Sequence, residues 1–280
     1  VLADPFDPGI CTRIKDALAA KSPFSVVRIG DGEANFLAFD EYEDTPILNC
    51  YAFAKIVAGQ SDSFAIDKLW MIVLKDLMQD AVISADVVGV LGLWYPGGDV
   101  GDAEKFRHHF LNEPRGMSGQ FYGRDLMLRW ARNQVFGTRV LASAHLYFGI
   151  LKGLEEIIDR AREVVCISDR GDAVRVLQAR YPSVRISQLP VGTGAKLQGH
   201  AHHQPNFLLH TRNALRADLR GHLYLVGAGP WAKIYCGWIK RRGGVAVDLG
   251  SGFDLLAGKL TRSIHKEIPK ETLRQLSSSL

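Results

Sequence analysis

Seven short apolar runs punctuate the chain: SVVRI at 25–29, VVGVL at 87–91, RVLAS at 139–143, VVCIS at 164–168, VRISQLP at 184–190, LYLVG at 223–227 and VAVDLG at 245–250. Most are apolar without alternation, the pattern of strands covered on both faces. Stretches with helical spacing lie between them, among them 64–80, 121–135, 147–162, 171–180 and 231–242. Strands alternating with helices predict an α/β fold with a mostly parallel sheet flanked by helices, in which ligands sit at the carboxyl ends of strands. There is no internal repeat. Two connections, GLWYPGGDVGD at 92–102 and PVGTGAKLQGHAHHQPN at 190–206, are long for a compact domain, and such loops often carry function. The pattern predicts one domain over 1–260 and a polar, peripheral tail over 261–280.

Composition narrows the class of protein. The 280 residues are 47% apolar and 23% charged, enough to bury a substantial core. A net charge of +4, spread without a block of like charges, gives no support to a nucleic-acid or membrane-surface partner and suits an anionic small ligand. Cys11, Cys50, Cys166 and Cys236 lie far apart with no C-x-x-C pair, which speaks against zinc fingers and disulfide scaffolds and for reduced, mostly buried thiols. No run approaches the roughly 18–20 apolar residues that span a bilayer. The first residues lack the basic and apolar regions of a signal peptide, so a cytoplasmic location is expected.

The stretch VVRIGDGEANF at 26–36 leaves an apolar run and enters Gly30-Asp31-Gly32-Glu33. Asp-Gly is a hairpin signal, so a solvated turn is one reading. The residues that follow, EANFLAF, do not alternate like a returning strand and look like the start of a helix. Acids at i and i+2 on a loop can turn toward one hard cation, while the glycines let the backbone approach a phosphate. Such a D-x-E pair suits Mg²⁺ or Mn²⁺ bridging a nucleotide diphosphate.

A second stretch, LYLVGAGPWAKIYCGWIKRRGG, runs from a strand through Gly227-x-Gly229-x-x-Ala232 into a helix. This is the layout of a phosphate-binding turn, and also of tight strand-to-helix packing. Asp248, at the end of the next strand, keeps a NAD site open. VDLGSGFDLLAG at 247–258 carries the D-x-G-x-G pattern of an S-adenosylmethionine turn. Their late position in the chain counts against both. His200, His202 and His203 can be metal ligands, a general base or an ordinary polar loop, and no Cys or acid stands nearby at zinc spacing.

Together VVRIGDGE and LYLVGAGPWAKIYCGWIKRRGGVAVDLGSGFD resemble the GT-D glycosyltransferases, a group first recognised through a domain of unknown function. The resemblance implies a single Rossmann-like domain that moves a sugar from a nucleotide-sugar donor to a glycan or glycolipid acceptor, in bacterial surface polysaccharide or glycoconjugate synthesis. It implies Asp31 and Glu33 as ligands of Mn²⁺ or Mg²⁺. Arg28, Gly30 and Gly32 would complete that side of the nucleotide-sugar site, with Gly227, Gly229, Pro230 and Trp231 on the other wall. His202, His203 and Asp254 are candidates for the catalytic base, because they fall in loops near predicted strand ends. The expected partners are the donor and the acceptor, with no nucleic acid and no transmembrane segment. Other domains of a longer polysaccharide-assembly protein are further expected partners, able to bring the protein to the inner face of the membrane. Two other classes stay open: a methyltransferase or NAD-dependent enzyme built on the C-terminal glycine turns, and a non-catalytic nucleotide-sugar-binding domain.

Overall fold

The computed structural model describes residues 7–38, 68–90, 126–127, 129–191 and 208–267. A strand forms at each apolar run: β1 Phe24–Ile29, β2 Val87–Val90, β3 Val140–Ser143, β4 Glu163–Ser168, β5 Ile186–Leu189, β6 His222–Gly227 and β7 Val245–Asp248. They pair in parallel throughout, in the order β3-β2-β1-β7-β6-β4-β5. The architecture is α/β, as the alternation of elements predicts.

Ten helices flank the sheet among the described residues: α1 Pro8–Ala19, α2 Asp31–Ala38, α3 Lys68–Ser84, α4 Tyr147–Lys152, α5 Leu154–Ile158, α6 Gly171–Arg180, α7 Leu208–Ala214, α8 Trp231–Arg241, α9 Gly252–Leu256 and α10 Ser263–Glu267. The single helix expected over 147–162 is two, because the chain breaks at Gly153, where a side chain would meet Cys11 Sγ at 2.9 Å. That close approach lets α1 pack across the break. α1 itself starts on a signal the periodicity does not show: Asp7 caps it through Gly9 N–H at 2.8 Å, and Pro8 takes the first turn. The long connection at 92–102 lies outside the described residues, as do 192–206 of the second one and part of the helix expected at 121–135. Of the cysteines, Cys11, Cys166 and Cys236 are buried and free, as expected, and Cys50 lies outside the described residues.

Alternate strand residues feed two apolar layers, which is why the runs do not alternate in polarity. Val26, Val87, Val164, Cys166, Leu225 and Val247 pack with α1, α4, α5, α6 and α9 on one face. Val27, Ile29, Val88, Ile167, Val226 and Ala246 pack with α2, α3 and α8 on the other. The neighbours β1 and β7 therefore send their following helices to opposite faces, β1 to α2 and β7 to α9. A crevice outside the carboxyl ends of these two strands is the switch point where open α/β sheets bind ligands. α10 lies beyond the boundary drawn at residue 260, and its His265 is fully buried, 3.1 Å from the Tyr147 hydroxyl.

Candidate active site

The crevice is built first by the way β1 becomes α2. Gly30 is the N-cap of α2, its carbonyl accepting from Ala34 N–H at 2.9 Å. Glu33, at the third helical position, folds back so that Oε2 accepts from Gly30 N–H at 2.9 Å, the return half of a capping box. The D-x-E acids thus stand on the first turn of a helix. The side chain of Asp31 lies outside the described residues. Gly32 is buried in that same turn.

The other Glu33 oxygen meets a residue from far along the chain. Lys233 Nζ lies 2.5 Å from Glu33 Oε1 and 2.9 Å from Asp248 Oδ2, with the Gly229 carbonyl at 3.4 Å, so its three donors are all used. Its side chain is 2% exposed and that of Asp248 0%. Asp248 also completes the sheet: the β1–β7 register ends at Val26–Val247, and Asp248 Oδ2 then accepts from Arg28 N–H at 3.3 Å. The Arg28 guanidinium sits 3.5 Å from Asp248 Oδ1, donates through Nη1 to the Ala144 carbonyl at 3.0 Å, and lies 4.8 Å over the Tyr147 ring.

Arg28, Glu33, Lys233 and Asp248 form a charge-balanced quartet drawn from β1, α2, α8 and β7. Burial alone would lower the Lys233 pKa, but Asp248 and Glu33 outweigh it and raise it. Burial alone would raise the Glu33 pKa, and Lys233 outweighs it in the opposite sense. An ammonium in the first turn of α8 opposes the helix dipole, and the two carboxylates offset that. Beside Arg28, burial and then the guanidinium bring His145 down to about 4. Its ring stacks on Phe148, and its Nδ1 has no hydrogen-bond partner among the described residues.

The glycine turn forms the other wall, and its two glycines differ. Gly229 has φ +56° and is exposed, and a side chain there would meet nothing within 4 Å. Next to it α8 follows Pro230 with no side-chain cap, and the Ala232 N–H of its first turn donates to the Gly229 carbonyl at 3.1 Å. Gly227 is closed off instead, since a side chain there would run into the Phe253 ring, with Cε2 at 2.9 Å. Trp231 packs within the core layer on α8's face of the sheet.

Of the residues singled out from sequence, the structure brings Arg28, Gly30, Glu33 and Gly229 to one crevice. Asp254 sits on α9, where its carboxylate pairs with Arg170 and Thr261 Oγ1, and His202 and His203 lie outside the described residues. Sequence reasoning missed Lys233, the lone charge in the apolar run AGPWAKIYCGWI, which was the signal available. It also misjudged Asp248, whose carboxylate is fully buried against Lys233 and Arg28 and is not free for a ribose hydroxyl. The D-x-G-x-G turn is filled as well. A side chain at Gly250 would stand 3.0 Å from Arg28 Cζ, and one at Gly252 would stand 3.3 Å from Tyr147.

The partners of Glu33 among the described residues place it poorly for holding a divalent cation. Each Glu33 oxygen already has a partner, one of them an ammonium, and no group of three or more His, Cys, Asp or Glu poised for a metal occurs among those residues.

The family model of the GT-D-like, GT-D fold-like domain matches residues 7–110, a stretch that holds β1, α2 and the D-x-E acids. Two solved structures are similar. One is described as "Selenomethionine substituted structure of domain of unknown function 1792 (DUF1792)", with 14% identity and a TM-score of 0.49 over 98% of this chain and 93% of that one. The other, "The highly conserved domain of unknown function 1792 has a distinct glycosyltransferase fold", has 13% identity and a TM-score of 0.48 over the same shares. No curated protein matches the chain.

Proposed function

We propose that this protein is a glycosyltransferase that binds a nucleotide-sugar donor in the β1–β7 crevice and passes its sugar to a glycan or glycolipid acceptor. The observation that carries the reading is the open, exposed Gly229 with its φ of +56°, standing at the sheet's switch point where α8 begins. The GT-D-like match over 7–110 supports it from the β1 side. In this reading the diphosphate lies against the open face of Gly229. Arg28, fixed by Ala144, Asp248 and Tyr147, offsets charge that grows on the departing nucleotide, and a preorganised cation of this kind needs no rearrangement as the bond breaks. The acceptor class that goes with the reading is a bacterial surface polysaccharide or glycoconjugate. No helix among the described residues is long and apolar enough to cross a membrane.

The buried Asp248 and the filled turn at Gly250 disfavour a NAD site and an S-adenosylmethionine site. Thermal-shift screening of UDP-, GDP-, CMP- and dTDP-sugars, with and without Mn²⁺ and beside NAD and S-adenosylmethionine, tests the reading. Stabilisation by one donor class supports it, and stabilisation by NAD or S-adenosylmethionine alone overturns it. Product formation then separates a transferase from a non-catalytic binding domain.

A further inference from the structure

We infer that Glu33 is the buried counter-ion that positions Lys233, and that it is not a ligand of a divalent cation. The inference concerns the crevice of the proposed glycosyltransferase and rests on that reading only for its nucleotide arm.

Three observations converge on it. First, both Glu33 oxygens have partners: Oε2 caps α2 through Gly30 N–H at 2.9 Å, and Oε1 meets Lys233 Nζ at 2.5 Å. A cation such as Mg²⁺ binds carboxylate oxygen at about 2.0–2.1 Å, so one on Oε1 would stand against the Lys233 ammonium, and one on Oε2 would compete with the Gly30 N–H that caps α2. Second, Lys233 is not free to withdraw, being 2% exposed and held by Asp248 Oδ2 at 2.9 Å and the Gly229 carbonyl at 3.4 Å. Third, the quartet is already neutral, with two cations facing two carboxylates, so Glu33 has no unbalanced negative charge to give a dication.

The arrangement also says what the quartet does. It ties the end of β1, the first turn of α2, the first turn of α8 and the end of β7 into one unit at the switch point. Gly30 and Gly229, where the two helices begin, are held in register through the Glu33–Lys233 contact. A glutamate three positions into a helix meets this need by capping geometry, and the same i, i+2 spacing from Asp31 follows without a shared metal. Loss of activity on changing Glu33 would then come from displaced helix starts and not from a lost metal ligand.

The test combines a double-mutant cycle with a metal titration. Glu33→Gln, Lys233→Met and the double variant are melted without ligand. Mn²⁺ binding to wild type, Glu33→Gln and the double variant is read by electron paramagnetic resonance, with Mn²⁺ alone and with Mn²⁺ plus UDP. Each single change is expected to lower the unfolding midpoint, and the double variant, which keeps a balanced Arg28–Asp248 pair, to melt several degrees above the sum of the two losses. Glu33→Gln is expected to keep the wild-type Mn²⁺ dissociation constant within about 2-fold in both arms. If that single variant does not fold, the double variant carries the same titration. Additive stability losses, or Mn²⁺ binding weakened 10-fold or more in the folded variant, overturn the inference. A wild type that binds no UDP in either arm counts against the donor reading, and the unliganded cycle still decides the role of Glu33.

Discussion

Replacing Gly250 by alanine tests whether Arg28 is fixed in the crevice. Gly250 follows β7 with φ +48°, and an added Cβ would fall inside contact distance of Arg28 Nη2 and 3.0 Å from its Cζ. The left-handed backbone alone costs an alanine about 1–2 kcal/mol. The clash adds more, because Arg28 must give up the Ala144 carbonyl or its pairing with the fully buried Asp248, and a hydrogen bond to a charged group contributes about 1.5–3 kcal/mol. Together these predict a loss of about 3–5 kcal/mol, or a midpoint lowered by about 6–20 °C in a chain of this size. Gly258→Ala is the matched control: φ is +70° there and nothing lies within 4 Å, so only the backbone penalty applies. It should lower the midpoint by about 2–8 °C. Circular dichroism melts of both variants, beside a nucleotide-diphosphate titration, decide the matter. Equal losses in the two variants would show that the guanidinium moves aside freely, and the reasoning about Arg28 would fail.

Gly229→Asn should leave the midpoint within about 2 °C of wild type, since asparagine tolerates the left-handed region and the space beyond is open, while nucleotide affinity drops about tenfold. Retained affinity would remove Gly229 from the ligand wall. Gly227→Ala should instead cost about 1–3 kcal/mol by overpacking Phe253, with binding lost only in proportion to stability when melt and titration are run together. The pH dependence follows from groups held neutral or ionised by the fold. His145 has its pKa brought down from 6.5 to about 4, so its contribution is complete above pH 6.5 and is lost as pH falls toward 4. His265, lowered chiefly by burial, acts with the same sign, and Glu33, lowered from 4.5, extends the loss to more acid pH. Melting curves between pH 7 and pH 4.5 should therefore slope downward, and His145→Phe, which retains a ring against Phe148, should flatten them; an unchanged slope would sink this assignment.

The sheet was legible because strands buried on both faces leave unbroken apolar runs, and all seven runs became strands within a few residues of their expected ends. α1 was not, since its start is written in a cap, Asp7-Pro8, and not in periodicity. The family match over 7–110 includes the stretch around Asp31 and Glu33. The role of Glu33 was hidden for a physical reason: acids at i and i+2 look alike whether they share a cation on a loop or occupy the first turn of a helix. The residue that separates these cases, Lys233, lies 200 positions away. Asp248 misled in the same manner, because an acid ending a strand after a glycine turn reads as a ribose ligand until its burial against Lys233 is seen. Tyr147 and His265 gave no signal, their contact being made between elements 118 positions apart.

Donor turnover decides whether the β1–β7 crevice binds and uses a nucleotide sugar. Wild type and Gly229→Asn are incubated with UDP-, GDP-, CMP- and dTDP-sugars, Mn²⁺ and a bacterial glycan and glycolipid extract that supplies acceptor hydroxyls, and the released nucleotide is quantified by mass spectrometry. Wild type should consume one donor class, and release should fall at least about tenfold in Gly229→Asn at an unchanged melting temperature. Release from no donor, or equal release from both proteins, would contradict that role of the crevice.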